Sequence, residues 1–222
     1  EARGADVIPV SSQADLAQIG GVQNGKYKLT ADITLDNSWK EIDPKEAFTL
    51  DGNGHSITLV GKPLFNIISS NSRISNLILE GIVVETENKN TGSFARINKG
   101  IIRNACSYAE TTYSGSSPYV YIAAIAGKTT GTIDNCIVGG KLLHDGKTPY
   151  YGAISNIAFM ENAKFINCIA FGHERLGSKE TLDKPELIEG ENCTLITDAS
   201  KFIPADYVEK MNTNLQDGDL NW

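Results

Sequence analysis

Four stretches of this chain repeat one pattern: PLFNIISSNSRISNLILEG (Pro63–Gly81), GSFARINKGIIRNACSYA (Gly92–Ala109), AAIAGKTTGTIDNCIVGG (Ala123–Gly140) and GAISNIAFMENAKFINCIAFG (Gly152–Gly172). Each opens on a small residue and an apolar pair, turns, and continues as a short strand centred on asparagine. The landmark asparagines Asn76, Asn104, Asn135 and Asn167 are 28, 31 and 32 residues apart. A period of this size is the signature of a stacked array in which each unit buries its apolar face against the next. Each copy offers two short strands, and strands that recur once per coil build parallel sheets along the stack. The reading is an all-β solenoid of about six coils, which at about 4.8 Å per coil is about 30 Å long.

Elements on either side of the repeats complete the array. Residues 1–11 lack periodicity and read as a linker or tag remnant, leaving 12–222 as one solenoid domain. Within it, 12–61 forms an N-terminal cap and the first coils, 62–172 holds the four repeats, and 173–222 is the last coil and a C-terminal cap. Ser12 begins a short helix, with Asp15 three residues on and Leu16 and Ile19 on one face. Tyr27–Leu35 alternates as a strand does, and Asp51-Gly-Asn-Gly54 is a tight turn between two more. A weak further strand lies at Glu191–Ile196. Beyond it, Pro204–Leu215 places Tyr207, Val208, Met211 and Leu215 on one helical face, as a helix lying over the last rung would need. Open solenoid ends expose unpaired backbone, so caps are expected at both.

The chain has 222 residues and a net charge of −7, with no basic run. That argues against nucleic acid as a partner, because such binding depends on neutralising phosphates. From Glu174 onward eleven acids face five bases, so most of the excess lies in the last quarter, which reads as a solvated tail. No apolar run is long enough for a membrane span. The chain starts at Glu1 without methionine and reads as one from which a signal peptide has been removed.

Asparagine and cysteine form columns. Asn76, Asn104, Asn135 and Asn167 read as a structural ladder, since stacked amides can bond each other and the backbone of adjacent coils. Cys136, Cys168 and Cys193 each follow an asparagine, while Cys106 sits one place later. With no C-x-x-C pair a zinc site is not indicated, and the cysteines read as an interior ladder of small hydrophobes.

Catalytic signals are sparse. The position before each landmark asparagine holds Ser75, Arg103, Asp134 and Ile166, so no column stacks carboxylates. Arg103 beside Asp134 reads as a surface ion pair. His55 belongs to a turn, and His173-Glu-Arg175 is a tempting cluster whose adjacent side chains are expected to point different ways. Asp32, Asp36 and Asp51 match no calcium loop. Neither a metal nor a cofactor is indicated. Tyrosine is the informative surface residue: Tyr108, Tyr113, Tyr119, Tyr121, Tyr150 and Tyr151 are six of the eight in the chain. Most lie in or beside two long loops, Ser107–Tyr119 and Leu142–Tyr151, that leave adjacent coils at the same point. Tyr108, Tyr113, Tyr119, Tyr150 and Tyr151 are therefore expected within reach of one another, as a patch suited to sugar or protein contact.

The motifs resemble the GLUG repeat of bacterial secreted and surface proteins, a Gly-Leu-Phe-Gly-like segment followed by Ile-x-Asn-Cys or Ile-x-Asn-Leu. Its second half stands here as Ile74-Ser-Asn-Leu77, Ile102-Arg-Asn-Ala105, Ile133-Asp-Asn-Cys136 and Phe165-Ile-Asn-Cys168. The first glycine survives as Gly92 and Gly152 but is Pro63 and Ala123 elsewhere. The resemblance implies an all-β, right-handed parallel β-helix and an extracellular or cell-surface location, and it transfers no catalytic residue. No H-E-x-x-H protease signature is present. The reading that follows is a non-catalytic, adhesin-like module that contacts a glycan or a protein at a bacterial surface. Alternatives are a polysaccharide-active lyase or glycoside hydrolase of β-helix type, and a structural stalk.

Overall fold

The structure is a computed structural model that describes residues 6–222. The chain winds as a parallel β-solenoid of about six turns, as the repeat predicts. One sheet stacks Val7–Val10, Gly25–Leu29, Phe48–Asp51, Arg73–Ser75, Ile101–Arg103, Thr132–Asp134 and Lys164–Ile166 in that order, every pair parallel. A second runs from Ile33–Thr34 through Ser56–Gly61 and Ile78–Glu85 to Cys106–Ser107, Ile137–Val138, Ile169–Phe171 and Thr194–Ile196. The third is shorter: Phe65–Ile68, Ala95–Asn98 and Ala126–Thr129.

Register turns the repeat into columns. Tyr27, Leu50, Ile74, Ile102, Ile133 and Phe165 are successive partners in the first sheet, and none is more than 3% exposed. The rings of Phe48 and Phe65 stack across the interior at 5.0 Å. Each coil thus hides its apolar side chains against the coils above and below, which is why no single repeat could fold alone.

Residues 7–10 correct the expectation of a linker; residues 1–5 of that segment lie outside the described residues. Val7–Val10 is the first strand, parallel to Gly25–Leu29, with Val10 fully buried. Four residues are too few to declare a period of two. Pro9, which argues against a central strand, is accommodated because this strand is the sheet's edge. The following helix Gln13–Leu16 forms as read: the Ser12 hydroxyl accepts from the Asp15 backbone N–H at 3.2 Å, and Leu16 and Ile19 are buried.

Asparagine makes the corner between the first and second sheets. Asn53, Asn76, Asn104, Asn135, Asn167 and Asn192 all have φ between 48° and 56°, the left-handed region that asparagine tolerates better than most side chains. Their amides stack: Asn104 Nδ2 donates to Asn76 Oδ1 at 2.9 Å, Asn135 to Asn104 at 3.0 Å, and Asn192 to Asn167 at 2.8 Å. The chain of amides breaks twice: Asn53 donates to the Leu29 carbonyl and Asn76 to Asp51 Oδ1, and farther on Asn167 donates to Asp134 Oδ1 while Asn135 Oδ1 accepts from Asn214. From Asn76 onward the residue after each asparagine turns inward, so Leu77, Ala105, Cys136 and Cys168 are buried in one column that ends in the half-buried Cys193. Cys106, one place later, points outward and leaves the interior ladder.

The C-terminal segment lies elsewhere than expected. The helix, Ala205–Asn212, packs on the flank of the stack and not over its last rung. It covers an outward apolar column of the second sheet: Met211 is fully buried against Cys106, Ile137 and Ile169, and the Phe202 ring stacks on Phe171 at 4.1 Å. Residues 214–222 then run back along the asparagine corner as a strap. Asn76 Nδ2 donates to the Gly218 carbonyl at 2.9 Å, Asn104 Nδ2 to the Leu220 carbonyl at 2.8 Å, and the Leu220 N–H donates to Asn76 Oδ1 at 2.9 Å. The strap also overturns the surface ion pair. Arg103 is 1% exposed, bonded to Asp134, to Asp219 and to the Asn214 carbonyl. Part of the acidic tail is thus an anchor rather than a solvated segment.

Replacing Ile133 with Asp puts an unpaired charge in the central column and should cost more than about 4 kcal/mol, read as lost stability in urea unfolding. A variant with unchanged midpoint would refute this register. The thiols give a second check. All four cysteines are free; burial pushes the Cys106 thiol up to about 12 and the Cys168 thiol far above its ordinary range. Denatured protein should titrate four thiols, native protein should react slowly at all of them, and reductant should leave the melting temperature unchanged. Finding two thiols on denaturation would demonstrate a bridge.

Candidate functional site

The two long loops carry sheet of their own. Glu110–Tyr113 pairs on one side with Ile82–Glu85 and on the other with Leu142–His144, with Tyr113 opposite His144. Farther along, Ile122–Ala123 pairs with Tyr151–Gly152. The loops are therefore neighbours on one flank, and the stack below them holds them in register.

The tyrosines divide into three groups. Tyr113 is 1% exposed: it packs with Val120 and Ile122, and its hydroxyl donates to the Ser117 carbonyl at 3.1 Å. It is a core residue of the flank, which corrects its place among the binding residues. Tyr108 is separate as well. Its ring lies 6.5 Å from Phe171, and it lines a cleft of about 340 Å³ beside Leu220 and Trp222, on the strap side. Tyr119, Tyr150 and Tyr151 remain. Tyr119 is 79% exposed, and the Tyr150 ring lies 5.0 Å from Tyr121, whose hydroxyl donates to Glu180.

Tyr151 stands at the edge of a second cleft, of about 200 Å³, lined by Leu142, His144, Gly152, His173, Glu174 and Arg175. The His144 and Tyr151 ring centres are 4.3 Å apart. Arg175 lies over the Tyr151 ring with its guanidinium carbon 3.9 Å from the centroid, and Nη2 donates to the tyrosine oxygen at 2.7 Å. Glu174 accepts from the same hydroxyl at 3.3 Å. Burial pushes both His144 and His173 below the ordinary histidine range, so both are neutral near pH 7. The cleft thus presents a carboxylate acceptor, guanidinium donors and the His144 imidazole, whose Nδ1 accepts from the Gly146 N–H at 3.1 Å and whose Nε2 is left to donate. One carboxylate lines it, whereas glycoside hydrolysis in its usual form needs a facing pair.

His173, Glu174 and Arg175 are brought together here against expectation. Alternation of side chains holds on a strand, and these residues are not on one. Gly172 ends the preceding strand segment with φ of 76°, and the chain bends through 172–176, so three consecutive side chains reach one cleft. The signal in the sequence was that glycine, which closes the last repeat.

No known protein family matches the chain, and no curated protein matches it. Among solved structures, a Bacteroides ovatus protein described as a "putative immunoglobulin A1 protease" is similar over 96% of this chain and 88% of that one, with 14% identity and a TM-score of 0.45.

Substituting Tyr113 with Ala should act on stability and not on any surface contact. Loss of a buried aromatic side chain typically costs about 3–5 kcal/mol, and the thermal unfolding curve should shift accordingly. Tyr119→Ala, by contrast, should leave that curve in place. An unchanged curve for both would contradict the burial of Tyr113.

Proposed function

We propose that this chain is a non-catalytic extracellular binding module, adhesin-like, that contacts a glycan through the flank carrying the two long loops. The observation that carries the reading is Tyr151, packed on the His144 ring and bonded to Glu174 and Arg175, on the flank whose first long loop exposes Tyr119. Aromatic rings with polar tips offer apolar faces to sugar rings and hydrogen bonds to their hydroxyls. The coils below fix these groups before a ligand arrives, which lowers the ordering cost of binding. The resemblance to GLUG-repeat proteins supports a location at a bacterial surface.

The test is a glycan array followed by calorimetry on the purified chain. Tyr119→Ala and Tyr150→Ala should each weaken the best-bound glycan by about tenfold or more, since a lost aromatic anchor commonly costs about 2 kcal/mol. Absence of any bound glycan, or binding unaffected by both changes, would remove the support for this reading.

A further inference from the structure

Glu174 and Arg175 are neighbours in sequence, yet they meet at one tyrosine hydroxyl and both line the cleft. We infer that this cleft is a subsite for a single neutral sugar unit, held by Glu174 and Arg175 through its hydroxyls. The inference rests on the glycan-binding reading above and names the part of the ligand that enters the flank.

Size is the first argument. Pockets for drug-sized ligands run to about 300–1,000 Å³. A cleft of about 200 Å³ is smaller and suits one small unit of a longer chain. Donor and acceptor balance is the second. A guanidinium carries five N–H donors in a fixed fork; Arg175 directs one to Tyr151 and is clamped over that ring, so the others are held in a set direction. Glu174 is exposed and keeps acceptor capacity beyond its one contact with Tyr151. A carboxylate beside a guanidinium matches adjacent hydroxyls, one donating and one accepting.

His173 closes the wall of the cleft: it is 7% exposed and its Nε2 is sealed from solvent, so it shapes the site without bonding to an occupant. The charges decide the class of sugar. One carboxylate and one guanidinium cancel, and both imidazoles are neutral. An acidic sugar would bring its carboxylate against Glu174, whereas a neutral hydroxylated ring meets no such repulsion.

The full chain should be titrated with methyl glycosides of glucose, galactose and mannose and with methyl glucuronide, by saturation-transfer and ¹⁵N-imidazole NMR. In parallel, the oligosaccharides selected by the array should be measured calorimetrically on Glu174→Ala, Arg175→Ala and Tyr119→Ala. The expected result is contact with at least one neutral glycoside in preference to the glucuronide, a shift of the His144 ring signal on its addition, and at least tenfold weaker oligosaccharide binding for Glu174→Ala and for Arg175→Ala at unchanged melting temperature. If oligosaccharides bind and respond to Tyr119→Ala alone, or if the glucuronide is preferred, the subsite is refuted while the binding flank stands. If the chain binds no oligosaccharide at all, the flank and its subsite fall together.

Discussion

A left-handed backbone at one position per coil is the constraint on which this molecule is built. The corner between the first two sheets needs positive φ, which most side chains resist. Glycine would meet that need and contribute nothing else. Asparagine meets it and brings an amide that donates along the stack to the next coil, as from Asn135 to Asn104 and from Asn104 to Asn76. Corner and register are therefore set by the same residue. Once Asn104 lies over Asn76, Ile102 must lie over Ile74 and Ala105 must face inward. A slip of one residue would turn every inward side chain of the strand outward.

The same corner explains the strap. An amide column on the outside of a solenoid has more bonding capacity than its own members use, and the final residues take up the remainder through the carbonyls of Gly218 and Leu220. The strand beside it carries outward apolar side chains, Ile78, Cys106, Ile137 and Ile169, that need a cover. Arg103 adds a third requirement. Breaking a buried ion cluster by removing one partner is strongly destabilising, because the charge left behind has no water to turn to. Asp134 from the next coil and Asp219 from the strap close it in from two directions. Arg96, bonded to Glu41 and Glu85, ties distant parts of the coil in the same manner.

How much of this could be read from residues alone follows from which rules are local. The coil was legible because Ile74, Ile102, Ile133 and Phe165 recur at a fixed offset from an asparagine, and the first helix because Ser12 and Asp15 stand at capping distance. The strap was not legible, since nothing in Asn214–Trp222 states what it will touch; its partners Asn76, Arg103 and Asn104 lie more than a hundred residues earlier. A hint existed in Cys136-Ile-Val138 and Cys168-Ile-Ala170, where consecutive apolar residues on a strand must leave one facing outward. Tyr113 and Tyr119 look alike in sequence and differ completely in exposure, because one lies on an added strand and the other on a loop tip. The cleft was hidden by applying strand alternation to His173–Arg175, where the backbone bends.

Ordinary repeat arrays gain stability coil by coil, so that each contact is made with a neighbour and growth can begin anywhere. The strap departs from that economy. Its contacts join residues 142 and 144 positions apart, from Asn76 to Gly218 and Leu220. During synthesis the outward column of Ile78, Ile137 and Ile169 emerges from the ribosome well before its cover does. At about 5–20 residues per second, the lag from Ile78 to Met211 is about 7–27 seconds, an interval in which bare apolar surface invites aggregation or a chaperone. The completed molecule is in turn less divisible than its repeats suggest: coils that could have frayed one at a time are sewn together by the last segment to be made.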